Sequence, residues 1–279
     1  MITIHTLVDN TAQRSSALWA EHGVSFAIET PGGWVLFDTG QSGDVLEHNA
    51  GEMKIPLDRF AALAISHAHY DHTGGLERYL TFARPGTPLY ANPSLLQERY
   101  SVKGEAAKPI GLQLSKERLS DYLDLRLNAG PTEIVPGVWT TGEITDRSEF
   151  EGRSPNHRIR EDGQWIPDPY RDDLSLVLDA ADGLVVVCGC CHAGLLNTLK
   201  HIRETFDRRI QAVIGGMHLA SITPETLKHA VDELGAYAAE GDLRLYPNHC
   251  TGETAYHALA QAFGERVQPC PAGSRLQFD

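Results

Sequence analysis

The sequence contains no apolar run approaching the roughly 20 residues that a membrane-spanning helix needs. Its first residues also lack the basic and apolar regions of a secretory signal. Residues 1–7 instead alternate apolar and polar side chains, as a half-buried strand does. We therefore expect a protein that neither crosses a membrane nor is exported, and that resides in the cytoplasm.

Positive charge is scarce. The 279 residues include 24 lysines and arginines against 37 aspartates and glutamates, so the formal net charge is −13. A protein that grips nucleic acid or an anionic membrane usually presents a basic face. This balance disfavours both classes of partner, nucleases included, and favours a small-molecule substrate.

Cysteine is also rare, and its placement excludes a disulfide framework. Five cysteines, an odd number, cluster in the second half of the chain. Reduced thiols in a reducing compartment are the simpler interpretation. The five are Cys188, Cys190, Cys191, Cys250 and Cys270.

What the sequence does contain is the pattern of one α/β domain over residues 1–279, with no clear linker. Strands lead in the first half and alternate with helices in the second, which indicates two packed sheets with helices on their outer faces. The predicted strands are residues 1–7, 25–30, 34–37, 61–65, 88–91, 133–141, 175–179, 184–188, 212–214, 243–246 and 275–278. The predicted helices are residues 45–51, 193–206, 224–239 and 253–263, and one that carries Leu76 and Leu80.

Residues 101–172 are predicted to be an irregular excursion from this pattern. Only residues 133–141 have the character of a strand there, and residues 147–172 are polar and rich in arginine. Long excursions in compact domains are often functional. We expect residues 147–172 to act as a lid that closes over a substrate rather than to support the fold.

The strongest chemical signal follows the predicted strand at residues 61–65. Three histidines and one aspartate fall within six residues, as His67, His69, Asp71 and His72. Side chains two apart on extended backbone point the same way, so His67 and His69 can hold one ion together. A turn after them would direct Asp71 and His72 to a second ion. Isolated surface histidines are common, but this density favours a site for zinc or a similar ion.

This motif resembles that of the metallo-β-lactamase superfamily, whose members share an αββα sandwich with a metal centre at one edge. The resemblance implies that Asp38, in the turn 38–40, supports the metal-binding histidines from behind, as ligating imidazoles require. More of the chain is similar to one subgroup, that of 7,8-dihydropterin-6-methyl-4-(β-D-ribofuranosyl)aminobenzene 5′-phosphate synthase. The similar segments are residues 21–25, 37–40, 66–75, 141–144, 189–194, 215–219 and 248–252.

The resemblance also implies two later metal ligands. His192 follows the predicted strand 184–188 and is expected to complete the first ion site with His67 and His69. His249 follows the strand 243–246 and matches the last ligand of the superfamily pattern, at the second ion. The alternative for each is a histidine that caps a strand end or packs within a loop.

The chain departs from the commoner superfamily pattern at two positions. Gly189-Cys190 stands where a glycine–aspartate turn with a bridging carboxylate is usual, and Glu143 stands where an earlier histidine is expected. Cys190 is either a thiolate ligand or a buried, inert thiol, and the inert thiol is favoured. Glu143 is either a ligand, a carboxylate near the site, or an ordinary surface residue.

Further candidates concern the substrate. His218 follows two glycines at the end of the strand 212–214, so it faces the substrate or supports a ligand, unless it is structural. Arg153, Arg158 and Arg160, with His157, could meet an anionic substrate group, with a solvated loop as the equal alternative.

These features predict a hydrolase that uses a metal-activated water on an ester, lactone or phosphoester, with Asp71 and His218 in catalytic roles. The cofactor would be two zinc ions per chain, with manganese or iron as alternatives. The second hypothesis is a transferase of the subgroup's kind, which joins a dihydropterin to a phosphorylated ribosyl-arene. A redox protein of the superfamily is disfavoured, because such proteins carry an acid where His69 stands and add a flavin-binding domain that we do not expect here. A non-enzymatic protein is disfavoured, because the first motif is intact. The oligomeric state is left open.

Overall fold

The computed structural model describes residues 1–149 and 151–279. Most predicted strands recur within a few residues, and the bounds of β2 and β17 match the predicted ones. The strands are β1 (Ile2–Val8), β2 (Ser25–Thr30), β3 (Gly33–Phe37), β4 (Phe60–Ala64), β5 (Thr87–Ala91), β6 (Arg99–Lys103), β7 (Ala106–Pro109), β8 (Leu123–Leu127), β9 (Thr132–Val135), β10 (Val138–Thr140), β11 (His157–Glu161), β12 (Gln164–Pro167), β13 (Ser175–Ala180), β14 (Gly183–Cys188), β15 (Ile210–Gly216), β16 (Arg244–Asn248) and β17 (Arg275–Phe278).

The longer helices also lie where they were predicted. Among the described residues, none of the helices combines the length and apolar character needed to span a bilayer. The α-helices are α1 (Asp44–Glu52), α2 (Tyr70–Thr73), α3 (Leu76–Tyr79), α4 (Lys116–Ser120), α5 (Leu195–Phe206), α6 (Pro224–Ala239) and α7 (Glu253–Phe263). Short 3-10 turns cover Leu57–Arg59, Pro93–Leu96, His249–Thr251 and Gly264–Arg266.

Two mixed sheets form the centre of the fold. The first has the strand order β17-β1-β2-β3-β4-β5-β8, and its pairings from β3 to β8 are parallel. The second has the order β16-β15-β14-β13-β10-β9, with β14, β15 and β16 parallel. The carboxyl ends of parallel strands collect loops at one edge of a sheet, and the candidate ligands follow β4, β14 and β16.

The core lies between the two sheets. Alternate residues of β2 and β14, such as Phe26 and Val187, meet in this layer. The intervening residues of each strand face outward. Ala27 of β2 packs on the side of α1 and α3, and Val186 of β14 packs on the side of α5, α6 and α7. Burying a side chain of this kind stabilises the fold by about 1.5–3 kcal/mol. The predicted αββα sandwich is confirmed, and because its core draws on both ends of the chain, we propose a single domain.

The prediction of an irregular excursion at residues 101–172 is wrong. This segment contains β7 to β12, α4 and most of β6, and it adds strands to both main sheets. It also forms most of a third, antiparallel sheet in the order β12-β11-β6-β7. The sequence hides these strands because they bury little: all four residues of β7 are exposed, and in β11 only Ile159 is buried. Without a buried face, the apolar alternation that signals a strand is lost.

The expectation that residues 147–172 contribute little to the fold is also wrong. Arg99 pairs with Asp168 at 3.1 Å and with Asp172 at 2.7 Å, and all three side chains are at most 2% exposed. Arg147 donates hydrogen bonds to the carbonyl groups of Ile144, Pro169 and Tyr170. Polar residues in a sequence suggest solvation, but here they are buried because they are paired.

Candidate metal centre

The loop after β4 brings the first three candidate ligands together. His67 Nε2 lies 3.0 Å from His69 Nδ1, and His192 Nε2 lies 3.2 Å from the same atom. All three side chains are buried. His192 reaches them from the loop after β14, a strand of the second sheet. The arrangement matches the set of ligands predicted for the first ion.

Close backbone approaches make this loop arrangement depend on glycine. A Cβ atom on Gly74 would lie 2.0 Å from the carbonyl oxygen of Gln41, and one on Gly75 would lie 2.1 Å from that of Thr39. A Cβ on Gly189 would lie 2.2 Å from Ser66 Oγ. The loops after β3, β4 and β14 can therefore meet only because these positions carry no side chain.

Hydrogen bonds fix which nitrogen of His192 faces the cluster. Its Nδ1 donates to the carbonyl oxygen of Gly152 at 2.8 Å. Burial lowers the pKa of His192 well below its usual value, so the ring is neutral and its Nε2 carries a lone pair. That lone pair points at His69. The ring is held in place by Tyr170, which stacks on it at 4.5 Å with an interplanar angle of 3°.

Asp38 occupies the supporting position that the resemblance implied. Its Oδ2 accepts hydrogen bonds from His72 Nδ1 at 2.6 Å and from Ser66 Oγ at 2.7 Å. Ser66 Oγ lies in turn 2.9 Å from His67 Nδ1. This carboxylate therefore orients His72 directly and His67 through the serine, and leaves both Nε2 atoms facing inward.

A second group surrounds Asp71. Its Oδ2 lies 3.3 Å from His249 Nε2, 3.6 Å from His72 Nε2 and 3.2 Å from His22 Nε2. Burial acts to raise the pKa of Asp71, but His72 and His249 outweigh it and hold this pKa well below its usual value. The carboxylate is therefore ionised, next to the nitrogens of His72 and His249, which are predicted to share the second ion with it.

His249 shows why this group fits a cation. Its Nδ1 faces Asn10 Oδ1 at 3.0 Å, and an amide oxygen can only accept, so Nδ1 carries the proton. Burial lowers the pKa of His249, so the ring is neutral and its Nε2 has a lone pair. This buried Nε2 has no hydrogen-bond partner among the described residues and faces the ionised Asp71. Two electron-rich atoms in such contact suit a bound metal ion.

Cys190 lies at the centre of the site. Its Sγ is 3.2 Å from His72 Nε2. It belongs to one potential ligand group with His67 and His72, and to another with His249 and Cys250. Burial raises the pKa of the Cys190 thiol well above its usual value. The thiol is therefore protonated unless a metal ion stabilises the thiolate.

The substrate side of the site is an open cavity of about 360 Å³. His218 lines it, and its ring centre lies 4.3 Å from that of His192. Burial lowers the pKa of His218 to about 4, so at neutral pH the ring is uncharged and keeps one N–H. Lys103, Lys108 and His157 complete the side formed by the third sheet.

Glu143 is not brought to the cluster. It belongs to none of the potential ligand groups found among the described residues. Gly142 precedes it in a left-handed conformation with φ 68°, and the backbone N–H of Glu143 donates to Ala129.

The three predicted arginines do not line the cavity either. Arg153 donates to the carbonyl of Arg147, and Arg158 donates to that of His157. The guanidinium of Arg160 lies 4.8 Å from the ring centre of Trp165.

Sequence reasoning missed several residues of the site. His22 is one of them, although it lies in a segment used for the family resemblance. Its side chain is 52% exposed at the rim, beside Asp71. His157 was considered only as a substrate contact together with the arginines, and its place beside the histidine cluster, with its ring centre 4.9 Å from that of His69, was not foreseen. Nothing in the local sequence marks it, because only the third sheet carries β11 to the site.

Two packed mixed sheets, helices on both outer faces and a histidine-rich edge define an αββα protein with residue groups that could hold metal ions. The chain belongs to the metallo-beta-lactamase superfamily, whose family model matches residues 18–157. This superfamily consists mostly of metal-dependent hydrolases.

Relatives extend the comparison to the whole chain. The chain is 28% identical to the 7,8-dihydropterin-6-methyl-4-(beta-D-ribofuranosyl)-aminobenzene-5'-phosphate synthase of Methanocaldococcus jannaschii, covering 99% of this chain and 97% of the relative. It is 29% identical to a solved metal-dependent hydrolase of the beta-lactamase superfamily, with a TM-score of 0.84 and full coverage of both chains. The fold is shared with zinc-bound PqqB from Methylobacterium extorquens. PqqB is 14% identical, with a TM-score of 0.56 over 99% of this chain and 100% of PqqB.

Proposed function

We propose that this protein is a metal-dependent hydrolase that cleaves an ester, lactone or phosphoester bond of a small molecule at a site for two zinc-like ions. The observation that carries the proposal is the convergence of five buried histidine rings and the ionised Asp71 carboxylate on two adjoining points. His67, His69 and His192 would hold one ion. Asp71, His72 and His249 would hold the other.

Bound ions would supply Lewis-acid chemistry, since they lower the pKa of water towards 7 and polarise a scissile group. The chain's own residues set the conditions for this chemistry. Asp71 is held ionised by His72 and His249 and can accept a hydrogen bond from an attacking water. His218 faces the cavity as a neutral ring, so its N–H can donate to negative charge that develops on the substrate.

Zinc is favoured over manganese because the ligand set is mostly imidazole with a thiol nearby. Neutral imidazole and thiolate are preferred by zinc, whereas manganese prefers oxygen ligands. Iron remains an alternative for the nitrogen ligands alone. Elemental analysis of protein purified without chelators tests the identity and number of the ions.

The alternative function is a transferase like the dihydropterin-linked synthase, favoured by the 28% identity over nearly the whole chain. One panel separates the two functions. The metal-loaded protein is incubated with neutral esters, lactones and phosphodiesters, and with a dihydropterin that carries a pyrophosphate leaving group plus a phosphorylated ribosyl-arene as acceptor. Hydrolysis without an acceptor supports the hydrolase, whereas turnover that requires the acceptor and releases pyrophosphate supports the transferase.

A further inference from the structure

The β6–β7 hairpin brings two lysines to the cavity beside the candidate metal centre. Lys108 lies opposite Ser101 in the hairpin register, and Lys103 lies opposite Ala106 next to the turn. Both lysines line the cavity that also contains His69 and His192. The third sheet therefore presents ammonium groups to the same space as the proposed ion sites.

Neither ammonium group is neutralised by the protein. Within residues 1–149 and 151–279, Lys103 and Lys108 form no ion pair and no side-chain hydrogen bond. Lys108 Nζ lies over the ring of Tyr70, 5.5 Å from the ring centre. In contrast, the buried Arg99 is committed to Asp168 and Asp172. Two free positive charges at one cavity of a chain with net charge −13 favour an anionic ligand there.

The charge and shape of the pair indicate which anion fits. A lysine ammonium acts as a compact point charge, a common partner for phosphate, whereas arginine suits planar, bidentate contacts. Two ammonium groups match the double negative charge of a phosphate monoester at neutral pH. Ser101, across from Lys108, adds a hydroxyl donor on the same wall of the cavity.

We propose that Lys103 and Lys108 bind the phosphate group of a small organophosphate substrate and so direct its reacting bond towards the histidine cluster. This inference rests on the proposed function, because it assigns a substrate class to the same site. It places phosphate recognition on the third sheet, in residues other than the arginines of residues 147–172.

The test measures binding of inorganic phosphate by calorimetry to metal-loaded protein. The variant Lys103→Gln/Lys108→Gln is compared with Lys116→Gln/Lys228→Gln, which removes the same charge from exposed positions outside the cavity. We expect the first variant to bind phosphate about tenfold more weakly, because it loses both ammonium groups at the cavity. The second should bind phosphate within about twofold of the wild type, because its lysines lie outside the cavity. Metal content and melting temperature should match the wild type in both.

Three results would overturn the proposal. Equal phosphate affinity in the wild type and the cavity variant would show that the lysines do not bind it. Equal weakening in both variants would show a general charge effect. Equal affinity of the wild type for acetate and for phosphate would exclude selection for the doubly charged group.

A second measurement separates this inference from the proposed function. Phosphate should inhibit hydrolysis of a neutral ester by the cavity variant about tenfold more weakly than hydrolysis by the wild type. If the wild type binds phosphate through the lysines but hydrolyses nothing in the panel, the subsite stands and the hydrolase proposal fails. If hydrolysis is observed and phosphate inhibits both proteins equally, the hydrolase stands and the subsite fails.

Discussion

Asp172 Oδ2 accepts a hydrogen bond from the backbone N–H of Ala68 at 2.8 Å, between His67 and His69. The next residue repeats the contact on a different loop, since Asp173 Oδ2 accepts from Ala193 at 2.9 Å, directly after His192. Two adjacent carboxylates before β13 therefore tie together the loops that carry the first group of ligands. This explains how residues 126 positions apart in the chain, His67 and Ala193, stay in one site.

Asp172→Ala should weaken metal binding although Asp172 is not itself a proposed ligand. Without its carboxylate, the backbone of Ala68 loses its anchor and His67 and His69 lose their alignment. Groups that orient ligands typically contribute about 10–100-fold in metal affinity. Competition with a chromophoric zinc chelator measures the change. Asp124→Ala, which breaks an exposed pair with Arg126, is the control, and an equal loss there would contradict the positioning role.

The wild type should purify with up to two transition-metal ions per chain. His67→Ala should remove the ion of the first group, and Asp71→Ala that of the second, with loss of turnover in each. Elemental analysis of both variants beside the wild type gives the counts. A wild-type sample that holds no metal and takes up none from micromolar zinc would refute the metal centre.

Cys190→Ser should weaken binding of the ion at the second group by about tenfold or more. This expectation differs from the sequence analysis, which favoured an inert thiol. The reason is the 3.2 Å contact between Cys190 Sγ and His72 Nε2. Cobalt substitution provides the measurement, because a thiolate ligand adds an intense charge-transfer absorption. Cys270→Ser, at a buried thiol that contacts Thr6, is the control. Identical cobalt spectra for wild type and Cys190→Ser would leave Cys190 as packing only.

Arg99→Met should destabilise the fold by about 3–5 kcal/mol, because it leaves Asp168 and Asp172 as buried charges without their partner. Urea unfolding of the metal-free protein measures the loss without a contribution from metal binding. Arg118→Met, which breaks a solvent-exposed pair with Glu77, should cost far less stability, because solvent screens that pair. Similar losses in the two variants would contradict the buried cluster as a main support of the third sheet.

Replacing Arg153, Arg158 and Arg160 together with alanine should change substrate and phosphate binding by less than about twofold, because these side chains lie outside the cavity. The same calorimetric and kinetic assays apply as for the lysine variants. A larger loss of phosphate affinity than in Lys103→Gln/Lys108→Gln would show that the arginines, and not the lysines, bind the phosphate.

The sequence alone determined the αββα class and the centre of the site. Continuous apolar runs such as β14 must be buried on both faces, and three histidines with an aspartate at this spacing have few uses other than metal binding. These signals are local, because a strand and a short ligand motif each lie within a few consecutive residues. Asp38 was likewise recognised, through the family resemblance, and it contacts His72.

Only the tertiary structure decided which distant residues join that centre. His157 and the two lysines reach the cavity through the strand pairings of the third sheet, and His22 reaches it from the loop between β1 and β2. Their local sequence does not encode these placements. The third sheet was missed because its strands are largely exposed, so burial leaves no periodic pattern in them. The polar residues 147–172 were expected to contribute little to the fold, because a buried ion pair and a solvated loop have the same composition. Only packing distinguishes the two.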